Sequence, residues 1–177
     1  MCGCVTAAAD GAIMRILGLD PGLQVTGYGC IDCPPGQRPR LCEAGVVRLP
    51  RSTSVADRIA RLYDDVQEVF RELQPDVVAV EQLFTHARHT RTAMLMGHAR
   101  GVLLLLAVQH RCRLTEHAPA SIKLAVAGHG RATKAQMQHA VMMECGLPAP
   151  PEPHDGADAI AVALCAGRRL EPTPATA

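Results

Sequence analysis

Three strand-like segments crowd into residues 15–49, and the stretches between them are too short to hold a helix. They are 15–20, 25–33 and 41–49. Parallel neighbours in one sheet need a crossover of about a dozen residues or more, so these three are predicted to form an antiparallel meander. Asp20-Pro21-Gly22 turns the chain after the first segment, and Cys33-Pro34-Pro35-Gly36-Gln37 turns it after the second. Residues 76–81 behave differently. Val77-Val78-Ala79-Val80 is wholly apolar between Asp76 and Glu81, which is the pattern of a central strand buried on both faces.

The rest alternates helix and strand. Ser54 is placed as the N-cap of a helix over 55–73, with Ile59, Leu62, Val66, Val69, Phe70 and Leu73 on one face. Gln74-Pro75 stops it. A second helix is predicted over 92–109 and a fifth strand over 113–117. Further helices follow over 119–127, 133–145 and 155–170, with Thr133 capping the second of these. The order βββαβαβααα implies an α/β fold, a mixed five-stranded sheet with helices on its faces.

The chain has 177 residues, of which 48% are apolar, enough for a single domain with a sizeable core. That domain is assigned to residues 14–170. Residues 1–13 read as an extension or start-site artefact and 171–177 as a disordered tail. Aromatics are only 2%, so aliphatic residues must build the core. The eight cysteines fit neither zinc-finger spacing nor a disulfide framework, since Cys30-Ile31-Asp32-Cys33 has no second pair. Free thiols point to a reducing cytoplasm. The apolar stretch 102–108 is read as too short for a membrane span, and residues 1–13 lack the pattern of a secretory signal.

A net charge of +1 decides nothing about partners, but its distribution does. Residues 86–134 carry Arg88, Arg91, Arg100, Arg111, Arg113, Lys123, Arg131 and Lys134 against one acid, Glu116. Any one of these would ordinarily be a solvated helix residue. Together they indicate a directed basic surface.

Four carboxylates stand at the edges of apolar segments. Asp20 ends the first strand and Glu81 the fourth, where functional groups of open α/β sheets collect. Asp155 and Asp158 are three apart at the head of the last helix and share one face. Helix capping is the bland alternative for either alone. Oxygen donors from distant parts of a chain suit Mg²⁺ or Mn²⁺. Two such ions would support phosphodiester cleavage, with Asp20 the candidate to be shared between them. His154, beside the pair, is a candidate ligand or proton shuttle.

At this point the motifs resemble a known family. Arg15-Ile16-Leu17-Gly18-Leu19-Asp20-Pro21-Gly22 with Thr26-Gly27-Tyr28-Gly29 is followed by Val80-Glu81-Gln82-Leu83-Phe84 and Gly97-His98-Ala99-Arg100-Gly101. Residues 122–128, 133–138 and 155–161 complete the set. In this order they resemble the RuvC-type Holliday-junction resolvases of the RNase H-like superfamily. The resemblance implies an RNase H-like sheet with helices on both faces. It implies that Asp20, Glu81, Asp155 and Asp158 are catalytic metal ligands, with Lys123 and Lys134 approaching the scissile phosphate. It implies a homodimer that cuts opposed strands of a four-way DNA junction in recombination and repair, and it raises a branch-migration motor complex as a further partner. Phe84 matches an aromatic that stacks on bases. Arg88, His89, Arg91 and Arg131 are assigned to DNA. The chain departs from the commoner Lys-Asn after Phe84, reading Arg88-His89 in a slightly longer loop, so no cleavage preference carries over. Part of the apolar stripe Met94, Leu95, Gly101, Val102 and Leu105 is assigned to the dimer seam. Two alternatives fit less well. An actin-like phosphotransferase would need far more chain, and a non-cleaving junction-binding module would not need all four acids.

Overall fold

The computed structural model describes residues 12–83, 90–152 and 154–170, without the side chains of Thr90 and Arg91. Nearly all of the proposed extension and the whole tail lie outside the described residues. The elements run β1 (Met14–Asp20), β2 (Val25–Cys33), β3 (Arg40–Arg48), α1 (Val55–Leu73), β4 (Val77–Glu81), α2 (Thr90–Gln109), β5 (Arg113–His117), α3 (Pro119–Ala127), α4 (Lys134–Cys145) and α5 (His154–Leu170). The strands form one sheet in the order β3-β2-β1-β4-β5. The meander is antiparallel, while β1–β4 and β4–β5 are parallel. The mixed five-stranded α/β sheet is therefore as the sequence predicts.

Side chains alternate across a strand, and here the alternation sorts two cores. Leu17, Leu19, Val78 and Val80 pack with Leu62, Val66, Phe70, Leu103 and Leu106 of α1 and α2. Ile16, Val77 and Ala79 pack on the other face with Ile122, Val141, Ile160 and Leu164 of α3, α4 and α5. Helices cover both faces, and β4 sits centrally with Val77 through Val80 buried.

Local chemistry ends the helices where the sequence indicates. Ser54 Oγ accepts from Asp57 N, and Thr133 forms a full capping box with Gln136. Thr133→Ala removes the bond from Gln136 N to the threonine hydroxyl and keeps the one from the residue 133 backbone N–H to Gln136, so a loss of about 1 kcal/mol in denaturant unfolding is expected. An unchanged midpoint would show that the cap carries no stability.

Helix α5 lies directly on the sheet because β1 and β2 present glycines to it. A Cβ at Gly18 would stand 2.1 Å from the Ala159 carbonyl oxygen, and one at Gly27 2.1 Å from that of Asp155. Gly29 meets Ile160 in the same way. Three missing side chains let the helix head approach the end of β1.

One sequence expectation is corrected. The stretch 92–109 within α2 is long and apolar enough, by length and composition, to cross a membrane, with mean hydropathy 1.3. The strand-like count over 102–108 missed it because apolar residues continue through Thr92–Gly101. In the fold, Ala99, Val102, Leu103, Leu106 and Ala107 are buried on the sheet, and Arg100 pairs with Glu116 of β5. This helix is a wall of the domain.

Candidate active site

The parallel pairing of β1 and β4 brings their carboxyl ends side by side, with Leu19 opposite Val80. Asp20 shares its face with Ile16 and Gly18, and Glu81 shares its face with Val77 and Ala79, so both acids point to the α5 side. The glycine cradle sets the first turn of α5 on that spot. Carboxylate oxygens of Asp20, Asp155 and Asp158 all lie within 4.8 Å of one another. Glu81 stands beside them in a cleft of about 230 Å³, lined also by Lys123, Lys134, Asp158, Ile122 and Met137. Lys134 Nζ is 3.6 Å from Asp158 Oδ2.

The electrostatics reflect this crowding. Burial pushes the Asp20 carboxyl up to about 6, helped by the charges of Asp158 and Asp155 and opposed by Lys134. Burial likewise pushes Glu81 up to about 7, with Asp20 and Asp158 adding to it and Lys123 opposing. Half-buried acids that raise one another's pKa form a site that favours protons or cations. Every donor is a carboxylate oxygen, and such a set fits a hard divalent cation.

Among the described residues, the structure thus gathers Asp20, Glu81, Asp155, Asp158, Lys123 and Lys134 at one end of the sheet. Arg131 is exposed on the turn between α3 and α4, outside the lining of the cleft. Phe84, Arg88 and His89 lie outside the described residues, and of Arg91 only the backbone is described, within α2. His154 is exposed, and its Nδ1 contacts Gln138 Nε2, tying the head of α5 to α4.

Two residues that the sequence places only in motifs or in the basic run have structural roles. Thr26 is fully buried, and its hydroxyl donates to Gly22 O at 2.6 Å, fixing the turn after Asp20. Arg100 bridges α2 to Glu116 at 2.5 Å, close to Gln82 and Leu83 as they leave β4. The glycine alternation at 27 and 29 is visible in the sequence as a strand that presents no side chain to one face.

Residues 16–166 match the family model for crossover junction endodeoxyribonuclease RuvC. The chain belongs to the RuvC family. A RuvC from Rhodopirellula baltica is 44% identical over 91% of this chain and 90% of its own length. One from Halorhodospira halophila is 46% identical over 85% of this chain and 88% of its own. Among solved structures, Thermus thermophilus RuvC in complex with a Holliday junction substrate superposes with a TM-score of 0.80 at 32% identity, covering 86% of this chain and 92% of that one. The yeast mitochondrial Holliday junction resolvase Ydc2 shares the fold, with a TM-score of 0.66 at 13% identity. The acidic cleft lies at the carboxyl ends of the parallel strands β1 and β4.

Proposed function

We propose that this chain resolves four-way DNA junctions in the cytoplasm by divalent-cation-dependent phosphodiester hydrolysis, in recombination and repair. The observation that carries this reading is the convergence of three aspartates within 4.8 Å, of which Asp158 lines one open cleft together with Glu81 and two lysines. The bound junction of the Thermus relative supports the choice of substrate.

Asp20, Glu81, Asp155 and Asp158 hold Mg²⁺ or Mn²⁺. Four carboxylates would suit two ions per site, with Asp20, whose charge acts on Glu81 and whose oxygens approach Asp155 and Asp158, as the candidate to be common to both. When bound, the ions supply Lewis acidity for an in-line displacement at phosphorus. Lys123 and Lys134 face the same cleft, where an ammonium steadies negative charge developing on the phosphate. Lys134, held near Asp158, is exposed and can reach a bound strand. Arg131, Arg88, His89 and Arg91 contact the DNA backbone, and Phe84 stacks on bases. Such stacking contributes about 1–3 kcal/mol per base.

Paired nicks on opposed strands require two sites, so the working unit is a homodimer. The candidate seam is the outer face of α2. Met94, Leu105 and Val108 are 63%, 50% and 69% exposed there, and Gly97 and Gly101 are open beside them. Val102, assigned from the sequence to the same stripe, is buried on the sheet instead. A Leu105→Asp, Val108→Asp double variant is expected to sediment as a monomer and to lose coupled cutting of the two strands. A dimer that persists in that variant would move the seam elsewhere.

The deciding experiment is cleavage of synthetic four-way junctions with Mg²⁺ and Mn²⁺ side by side. Paired symmetric nicks are expected. Binding without cutting in either metal would instead favour a junction-binding module.

A further inference from the structure

A second group of reactive side chains lies across the sheet from the acids. Gly27 and Gly29 of β2 face α5, so Tyr28, Cys30 and Asp32 face the α1 side. β2 and β3 pair in regular register from Val25–Arg48 to Cys30–Glu43, then resume at Ile31–Leu41. Cys42 is the extra residue of a β-bulge opposite Cys30. Cys42 Sγ lies 3.9 Å from the Arg40 carbonyl oxygen, and the Cys30 and Cys42 thiols are near enough to shift one another's titration, with Asp32 pushing both upward. Asp32 is itself gripped by Arg15, with Nε to Oδ1 at 2.7 Å and Nη2 to Oδ2 at 3.0 Å. Cys30 is wholly buried, while Cys42 is exposed on the edge strand.

This arrangement has the parts of an oxidisable pair. The exposed sulfur is the one an oxidant meets first. The buried sulfur belongs to the neighbouring strand behind it. Cys42 adjoins Glu43, the register partner of Cys30, and paired residues on adjacent antiparallel strands have Cα atoms about 4.5–5.5 Å apart, so the two cysteines stand across one strand gap. Burial holds both thiols above their ordinary range, Cys30 up to about 12. The pair therefore reacts slowly and is no catalytic dithiol.

We propose that Cys30 and Cys42 are a redox modification site, closing to a cross-strand disulfide when the protein meets a hydroperoxide. The Cys42 thiolate attacks the terminal peroxide oxygen. An S–O bond forms, the O–O bond breaks, and the departing hydroxide leaves as water with the thiol proton. The Cys30 sulfur then attacks the Cys42 sulfenic sulfur. An S–S bond forms, the S–O bond breaks, and the hydroxide leaves as water with the Cys30 proton. With hydrogen peroxide, two thiols and one oxidant give one disulfide and two waters. The product staples edge strand β3 to β2 on the face away from the acidic cleft, so junction cleavage is left unchanged.

The test treats the full chain with hydrogen peroxide, blocks remaining thiols and digests with trypsin. Peptides 16–40 and 41–48 are expected to be joined, lighter by two hydrogens than the reduced pair. Fragmentation should assign the bond to Cys30 rather than Cys33, which packs on the α5 side near Gly167. The oxidised protein should melt at a higher temperature, and dithiothreitol should reverse this. Cys42→Ser, at an exposed position, should fold normally and form no link. Sulfinic acid at Cys42 with Cys30 still reduced would overturn the proposal, as would a link to Cys33 or a Cys42–Cys42 bridge between chains.

Discussion

Asp20→Asn is expected to abolish junction cleavage while making the cation-free protein more stable at pH 8. The loss of activity should reach roughly 10³-fold or more, beyond the 10–100-fold typical of removing a group that only orients a metal ligand. The stability gain follows from the crowding of the site. Asp20 is pushed from 3.8 to about 6, chiefly by burial and then by Asp158 and Asp155. Its folded form therefore binds a proton more tightly than its unfolded form. The stability this gives is fully present below about pH 4 and is lost as pH rises through about 6. At pH 8 the ionised Asp20 costs on the order of 3 kcal/mol. Asparagine does not ionise, and it also relieves Glu81, which Asp20 helps push to about 7. The difference in melting temperature between variant and wild type should thus be largest near pH 8 and vanish near pH 4. Adding Mg²⁺ should raise the wild type at pH 8 and leave the variant nearly unmoved, because a cation that binds only the folded state stabilises it. A variant that melts below the wild type at pH 8 without cation would show that the acids do not repel one another.

The pH dependence of cleavage in the wild type should follow from the same groups. Ligands must shed protons to take a cation, so activity should rise with pH through the range from about 6 to about 7. The midpoint should move lower as Mg²⁺ is increased, because the cation competes with the protons. A profile that is flat across this range at low Mg²⁺ would separate Asp20 and Glu81 from the reaction.

Much of this site was legible because it depends on short-range rules. Linker lengths alone made β1, β2 and β3 a meander. The apolar run before Glu81 placed β4 inside the sheet. Strand-end acids and an i, i+3 pair on a helix head then supplied the candidate ligands, three of which the fold brings within 4.8 Å of one another. The remainder depends on how elements cross. Nothing in the spacing says that the Asp155 carbonyl comes to rest over Gly27. The apolar character of α2 continues around the helix, so periodicity could not separate buried Val102 from exposed Leu105. The bulge at Cys42 depends on pairing between β2 and β3, and the Arg100–Glu116 bridge on the packing of α2 against β5. Each is a contact between distant segments, and a single sequence carries no local signal for it.

Gly27→Ala is the substitution expected to damage the site most without touching a ligand. The new Cβ would stand 2.1 Å from the Asp155 carbonyl oxygen and 2.8 Å from its carbon. Both are backbone atoms in the first turn of α5, so no side chain can swing aside. The helix head must lift, and it carries Asp155 and Asp158 with it. A displacement of about 1 Å in a catalytic group can cost on the order of 10²-fold in rate. Overpacking of this kind also costs about 1–3 kcal/mol. Gly18→Ala makes a useful contrast. Its Cβ would meet the Ala159 oxygen at 2.1 Å and the Ala163 nitrogen at 2.7 Å, two turns of helix away from free movement. There the whole of α5 must separate from β1, so loss of folding is the expected result. For Gly27→Ala the expected result is a protein that folds with a lowered unfolding midpoint, binds Mg²⁺ at least about tenfold more weakly and cuts junctions about 10²-fold more slowly. Calorimetric titration of the cation separates this outcome from a general loss of stability. A folded Gly27→Ala protein with unchanged Mg²⁺ affinity would mean that the position of α5 over the sheet does not set the geometry of the acids.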